Sequence, residues 1–194
     1  MKSKKLILIA SPPACGKTTL AKKLAVALEN VVYIDKDALN PFGKQICRIG
    51  GQDYNPDSPF FVKEVREIEY EVTVGMGLEA LEFANTVLIN APFGKELWDA
   101  DYMRDLKVKA SDLGAELYVV FIEATPELCK ARIIDRNNIR DKFKIENWEA
   151  YISKVNFKTP SHLSDILKLY LYHNETDEIA AKSFASLLEF LKRS

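Results

Sequence analysis

Cysteine is scarce in this 194-residue chain. Its three copies, Cys15, Cys47 and Cys129, are odd in number, far apart and in no metal-ligand or redox spacing. A disulfide framework is thereby excluded, and the usage is that of a reduced cytosolic protein. An excess of either charge is missing too: 27 Lys and Arg stand against 28 Asp and Glu, a net charge of −1, with both signs interspersed. No basic stripe exists of the kind that grips long nucleic acid, so nucleic acid is set aside except for action on a 5′ end. No apolar stretch is long enough to span a bilayer. Met1-Lys2-Ser3-Lys4-Lys5 before apolar residues imitates an export signal, but the apolar core is five residues long and two prolines follow it. A signal peptide has neither feature, and the expected location is cytoplasmic, with no membrane contact. His162 and His173 are isolated and receive no chemistry. Repeats and low-complexity tracts are absent, and the length suits one domain, 1–194, with a substantial core.

What is present is a phosphate-binding loop in a credible context. Ser11-Pro12-Pro13-Ala14-Cys15-Gly16-Lys17-Thr18-Thr19 follows the apolar run Leu6-Ile7-Leu8-Ile9-Ala10 and precedes a helical pattern with Leu20, Leu24 and Leu28 on one face. Strand, loop and helix in that order make residues 11–19 a polyphosphate cradle. Loop N–H groups and the helix N-terminus face the anion, Lys17 adds a mobile positive charge, and the Thr18 hydroxyl can ligate Mg²⁺. Ser11 stands where the first glycine of such loops is expected, and the two prolines hold the turn. A nucleoside triphosphate is the ligand this predicts. Cys15 lies inside the loop. It reads as a small residue filling a Ser or Gly slot, the alternative being an oxidisable thiol at a helix N-terminus.

Short apolar runs at 5–10, 31–34, 87–90, 117–122 and 167–172 lack strict alternation, as buried parallel strands do. Helical patterns separate them, at 59–83 (through Val62, Val65, Ile68 and Val72), 96–113, 126–136 and 177–191. The fold class is therefore a doubly wound α/β sheet. Thr125 and Pro126 read as N-cap and first residue of one helix. The connection 35–86 far exceeds one crossover helix, and its Pro41-Phe42-Gly43 and 50–56 read as loop. The segment 41–85 is expected to build a second substrate's pocket, lined by Phe42, Tyr54, Phe60 and Phe61 unless these pack a small satellite core.

Phosphoryl transfer also needs an acceptor base, a metal site and charge against the moving phosphate. Asp35-Lys36-Asp37 ends the second strand at the same sheet edge as the loop. Asp37 is read as the base and Asp35 as an outer-shell Mg²⁺ or structural partner, the other roles for such acids being a cap or a solvated surface. Asn90 ends the third strand where many phosphate-loop NTPases carry a metal-binding acid, which weighs against a motor or switch. Glu123 is a second metal-side candidate or a structural acid. Arg132, Arg136 and Arg140 recur every four residues and share one helical face if the helix persists. They read either as a salt-bridged surface or as a cationic lid, 132–148, with Asn137-Asn138 at its tip. In the lid reading Arg132 binds the nucleotide while Arg136 and Arg140 neutralise transition-state charge. Asn174-Glu175-Thr176 fall where an adenine would rest, and Thr176 reads first as a helix N-cap.

On Ser11–Thr18, Asp35-Lys36-Asp37 and the three arginines, the chain resembles the small phosphate-loop kinases grouped around zeta toxins, polynucleotide 5′-kinases, gluconate kinases and antibiotic phosphotransferases. The resemblance spans nearly the whole chain in layout, with the phosphate loop as its one specific motif. Polynucleotide 5′-kinases carry their base twenty residues beyond the loop lysine, as Asp37 lies beyond Lys17, and an arginine three residues later, where this chain has Asn40. The resemblance implies a five-stranded sheet of order 2-3-1-4-5, ATP with Mg²⁺, and transfer of the γ-phosphate to a small-molecule hydroxyl. The alternatives are an ATPase or switch acting through a protein partner, and a toxin-like or 5′-hydroxyl kinase.

Overall fold

In the computed structural model, which describes residues 4–136, 145–153 and 155–192, the five apolar runs pair in parallel. They are β1 (Lys4–Ala10), β2 (Val31–Asp35), β3 (Thr86–Asn90), β4 (Ala115–Glu123) and β5 (Lys168–His173). Their order across the sheet is β2-β3-β1-β4-β5, as the resemblance implies. Each strand begins or ends within a residue or two of its expected bounds, because backbone pairing runs slightly past the last apolar side chain.

Helices cover both faces, which is why the strands show no polar side. The helices are α1 (Lys17–Ala27), α2 (Asn40–Ile49), α3 (Pro59–Phe61), α4 (Glu67–Ala80), α5 (Ala100–Asp112), α6 (Pro126–Arg136), α7 (Trp148–Ile152) and α8 (Asp177–Lys192). On one face Leu6, Leu8 and Ala10 of β1 pack with Tyr70 and Val74 of α4 and with Met103 and Leu106 of α5. On the other, Ile7 and Ile9 meet Leu20 and Leu24 of α1, Cys129 of α6 and Leu187 and Leu191 of α8. Alternate residues of β1 thus serve opposite layers of an α/β/α sandwich. The expected caps form: Thr125 Oγ1 accepts from Leu128 N–H at 3.2 Å and Thr176 Oγ1 from Ile179 N–H at 3.3 Å.

Three segments differ from the pattern-based expectation. Pro41-Phe42-Gly43 is the first turn of α2 rather than loop, since a proline there needs no N–H partner and is preset for helix. Gly43 lets α2 lie tightly on the next helices: a Cβ there would meet Glu69 Oε1 at 2.9 Å and Val65 Cγ1 at 3.2 Å. The 96–113 pattern is broken at Asp99, which caps α5 by accepting from Asp101 and Tyr102 N–H after a short 3-10 turn. The 59–83 pattern holds a π-helical turn, Val62–Arg66, before α4.

That turn rotates the buried stripe. Val65 is buried, but Val62, Ile68 and Val72 are exposed, and the inward side carries Phe61, Glu69, Tyr70, Thr73, Val74 and Leu81. Apolar counting misses such a stripe because Glu69 and Thr73 go inside with partners: Glu69 with Lys36, and Thr73 donating to the Glu69 carbonyl at 2.6 Å. Phe61 joins Cys47 and Val65 in a satellite core with Tyr54 and Phe60 against it, and Phe42 is exposed. The lid expected at 132–148 lies partly outside the described residues: Arg140, Asn137-Asn138, Lys142 and Lys144 fall there, and Arg136 is placed only as the last residue of α6.

Candidate active site

The site forms where the carboxyl ends of β1, β2 and β3 meet the start of α1, the usual ligand position in an open parallel sheet. Register sets its parts. Asn90 is paired with Ile9 on one side and with Asp35 on the other, so the ends of β2 and β3 sit beside the strand that launches the loop.

Residues 11–16 curl around that edge with two left-handed residues, Ala14 at φ 61° and Gly16 at φ 87°. Alternation of this kind turns successive N–H groups inward into an anion-binding concavity. Gly16 is required twice over: its φ is one that L side chains rarely adopt, and a Cβ would meet Asn174 Nδ2 at 2.6 Å. Asn174, the residue after β5, holds the loop by donating Nδ2 to the Cys15 carbonyl at 2.7 Å. Ser11 is buried, its hydroxyl donating to the Pro12 carbonyl at 2.7 Å, while Pro13, Ala14, Gly16 and Lys17 are part-exposed and Thr18 and Thr19 exposed.

Asn90 is the hub of the site. Its Oδ1 accepts from Lys17 Nζ at 3.0 Å, and its Nδ2 donates to Thr18 Oγ1 at 3.3 Å, Tyr33 OH at 3.2 Å and Asp35 Oδ2 at 2.9 Å. Tyr33 OH also donates to Asp35 Oδ2 at 2.8 Å. A carboxylate does stand beside the Thr18 hydroxyl, then, but β2 supplies it as Asp35 while β3 gives the amide that holds it. Burial pulls the Lys17 ammonium below its ordinary value, and the charges of Asp37 and then Asp35 oppose that shift. Burial and the bond to Asp35 push the Tyr33 phenol up, so Tyr33 stays a neutral donor.

Asp37 lies in the 3-10 turn Lys36–Leu39 and is exposed. Its backbone N–H donates to Asp35 Oδ1 at 3.0 Å, fixing the turn, and its carboxylate is left toward solvent near Lys17. Two ion pairs, one buried and one part-buried, back this part of the chain. Lys36 Nζ meets Glu69 Oε2 at 2.6 Å, and Arg66 Nη2 meets Glu96 Oε1 at 2.8 Å while its guanidinium lies 4.5 Å from the Tyr70 ring centroid. The Tyr70 hydroxyl in turn accepts from Phe93 N–H at 3.0 Å.

On the opposite flank Arg132 is half-buried and donates Nη2 to the Asn174 carbonyl. Its Nη1 is buried with no hydrogen-bond partner among the described residues. Glu123 accepts from Thr159 Oγ1 and lies 3.3 Å from His173 Nδ1, so its carboxylate is engaged away from Thr18.

A polyphosphate with Mg²⁺ fits these residues. The nest, Lys17 and the orphaned Arg132 nitrogen supply donors for phosphate. Among the described residues no group of three or more His, Cys, Asp or Glu could cage a metal. Thr18 and Asp35 alone suit Mg²⁺, which keeps waters and phosphate oxygens as its other ligands.

Sequence reasoning found Lys17, Thr18, Asp35 and Asp37, which the fold does bring to one edge. It missed Tyr33, though its position two residues before Asp35 places both on one strand face. It also missed Asn174 and the Lys36–Glu69 pair, for which no local signal exists.

A family model described as AAA domain matches residues 6–157. The chain belongs to the AAA domain family. No curated protein matches this AAA-family chain at a significant level. Among solved structures it is similar to a gluconokinase from Sinorhizobium meliloti 1021, at TM-score 0.60 and 14% identity over 100% of this chain and 97% of that one. A shikimate kinase from Acinetobacter baumannii in complex with shikimate gives TM-score 0.57 and 19% identity over 100% and 96%. A chain of the PezAT chromosomal toxin-antitoxin system of Streptococcus pneumoniae gives 0.58 and 14% over 99% and 89%. At these identities the likeness is one of fold, and the fold is that of the small phosphate-loop kinases. Among the described residues no helix is long and apolar enough to cross a membrane.

Proposed function

We propose that the chain is an ATP-dependent phosphotransferase that moves the γ-phosphate of Mg-ATP to a hydroxyl of a small molecule. One observation carries the reading. Lys17, Thr18 and Asp35 are gathered on Asn90 at the mouth of the phosphate loop, with the exposed Asp37 carboxylate beside them.

In this reading residues 11–19 and Arg132 bind the nucleotide, and Thr18 and Asp35 hold Mg²⁺, Asp35 through a water. The metal neutralises phosphate charge. Asp37 accepts the acceptor hydroxyl's proton and aims its oxygen along the line of transfer. Arg136 and Arg140 belong to the lid and meet the charge that develops in transfer. The chain is one domain, with 41–85 walling the acceptor side. The gluconokinase and shikimate kinase that share the fold phosphorylate hydroxylated small molecules, which supports the same acceptor class here, in a cytoplasmic setting.

The test is transfer of labelled γ-phosphate from ATP to a panel of sugars, sugar acids, nucleosides, aminoglycosides, sugar nucleotides and 5′-hydroxyl oligonucleotides. A small-molecule acceptor should be labelled, with Lys17→Ala abolishing transfer. Asp37→Asn should lower turnover by about a hundred- to ten-thousand-fold while ATP affinity holds. Transfer unchanged within a few-fold in Asp37→Asn would remove Asp37 as the base. Hydrolysis stimulated only by a protein partner, with the panel blank, would instead make the chain a switch.

A further inference from the structure

Cys15 and Cys129 stand more than a hundred residues apart in sequence, yet their sulfurs lie 3.4 Å apart in the fold. One belongs to the phosphate loop and the other to the first turns of α6, three residues before Arg132. Both side chains are fully buried, and the loop residues that flank Cys15, namely Pro13, Ala14, Gly16 and Lys17, are part-exposed. A disulfide needs the sulfurs at about 2.05 Å. The remaining approach is of the size that local opening of a loop provides.

The two thiols are electrostatically unequal. The contact between the two sulfurs holds the Cys129 thiol below its usual range, with burial opposing and the Arg132 guanidinium helping. The same contact, together with burial, pushes the Cys15 thiol up. Of the two, Cys129 is the thiol favoured to ionise. Cys47, the third cysteine, lies in the satellite core and takes no part.

We propose that Cys15 and Cys129 form an oxidation site, at which a hydroperoxide converts the thiol pair into a disulfide that ties the phosphate loop to α6 and switches off triphosphate binding. The Cys129 thiolate attacks a peroxide oxygen, the O–O bond breaks, and a sulfenic acid forms as hydroxide or alkoxide leaves. The Cys15 sulfur then attacks the sulfenic sulfur, the S–O bond breaks, and water departs with the Cys15 proton. The two sulfurs lose two electrons and the peroxide gains them. The new bond drags the loop residue whose carbonyl Asn174 holds, and it shifts the helix that carries Arg132. The binding half of this proposal rests on residues 11–19 being the triphosphate cradle, and the bond-forming half does not.

The experiment treats the reduced full chain with a small excess of hydrogen peroxide, maps its peptides by mass, and titrates ATP before and after. Expected is a Cys15–Cys129 crosslink with loss of two hydrogens. ATP binding should weaken by about tenfold or more, and dithiothreitol should restore it. Cys129→Ser and Cys129→Ala, which keep the loop sequence, should bind ATP when reduced and keep binding after peroxide. Absence of the crosslink, or a crosslinked chain that binds ATP as before, overturns the proposal. So does equal loss of binding in the Cys129 variants, which would assign the effect to Cys15 alone. A reduced wild-type chain that binds no ATP would sink the kinase reading and the switch together, whereas binding that survives the crosslink sinks the switch only.

Discussion

At the scale of single residues, Lys17 links burial to ligand chemistry. Its ammonium is held below its ordinary value by burial first and then by Lys36, against Asp37 and Asp35. A cation depressed in this way loses its proton first in the folded chain. Between the folded and unfolded values the unfolded chain holds more protons, and stability rises with pH through that alkaline window. Below the folded value the whole cost of burying the charge is present. A triphosphate against Nζ favours the charged form, so ATP binding in that window should take up protons. Calorimetry in buffers of different ionisation enthalpy reads the uptake directly, and Lys17→Met should abolish it. Zero uptake in the wild type would mean that Nζ does not meet phosphate. Lys17 and Thr18 were legible because a phosphate loop is a local motif. Asn90 was legible as an absent acid, but its role as hub was not, since its partners come from two other segments, the start of α1 and the end of β2.

At the scale of elements, the connection from β2 to β3 shows what pattern reading misses. Its helices turn a charge inward, and the Lys36–Glu69 pair, with side chains 11% and 5% exposed, pins the turn that carries Asp37 to α4. Glu69 Oε1 has no hydrogen-bond partner among the described residues, so the pair is dearly desolvated. Removing one partner leaves the other charged and buried: Glu69→Ala should cost about 3–5 kcal/mol in urea unfolding. The double variant Lys36→Met/Glu69→Leu should recover most of that loss, because an apolar pair removes both desolvation penalties. A single variant within about 0.5 kcal/mol of wild type would show the pair to be surface-like. The buried stripe of α4 was misplaced for the same reason. Val62, Ile68 and Val72 are apolar and Glu69 and Thr73 are not, yet the latter go inside because each has a partner there.

At the scale of the whole molecule, the long connection is continuous with the sheet. Tyr70 and Val74 of α4 belong to the same apolar cluster as β1, β3 and α5, and Tyr70 reaches the Phe93 backbone after β3. The chain should therefore unfold in one transition. Trp98, packed on His162 beside that cluster, and Trp148, against the opposite layer, should report the same denaturant midpoint as far-UV circular dichroism. Two separated midpoints would make the 41–85 segment, or the α6–α7 side, an independent unit.

By itself the sequence determined the phosphate loop, the parallel α/β class and the sheet edge at which the acids emerge. All three are written in contiguous residues: a motif, short apolar runs, and the positions that follow them. Tertiary structure alone decided which atoms meet there. Asp35 stands beside Thr18 because β2 pairs with β3 in a register that sets it next to Asn90. Cys15 of the loop reaches Cys129 of α6, and Lys36 of the turn after β2 reaches Glu69 of α4, because segments far apart along the chain pack together. Such contacts follow from strand order and helix packing, which no window of neighbouring residues encodes.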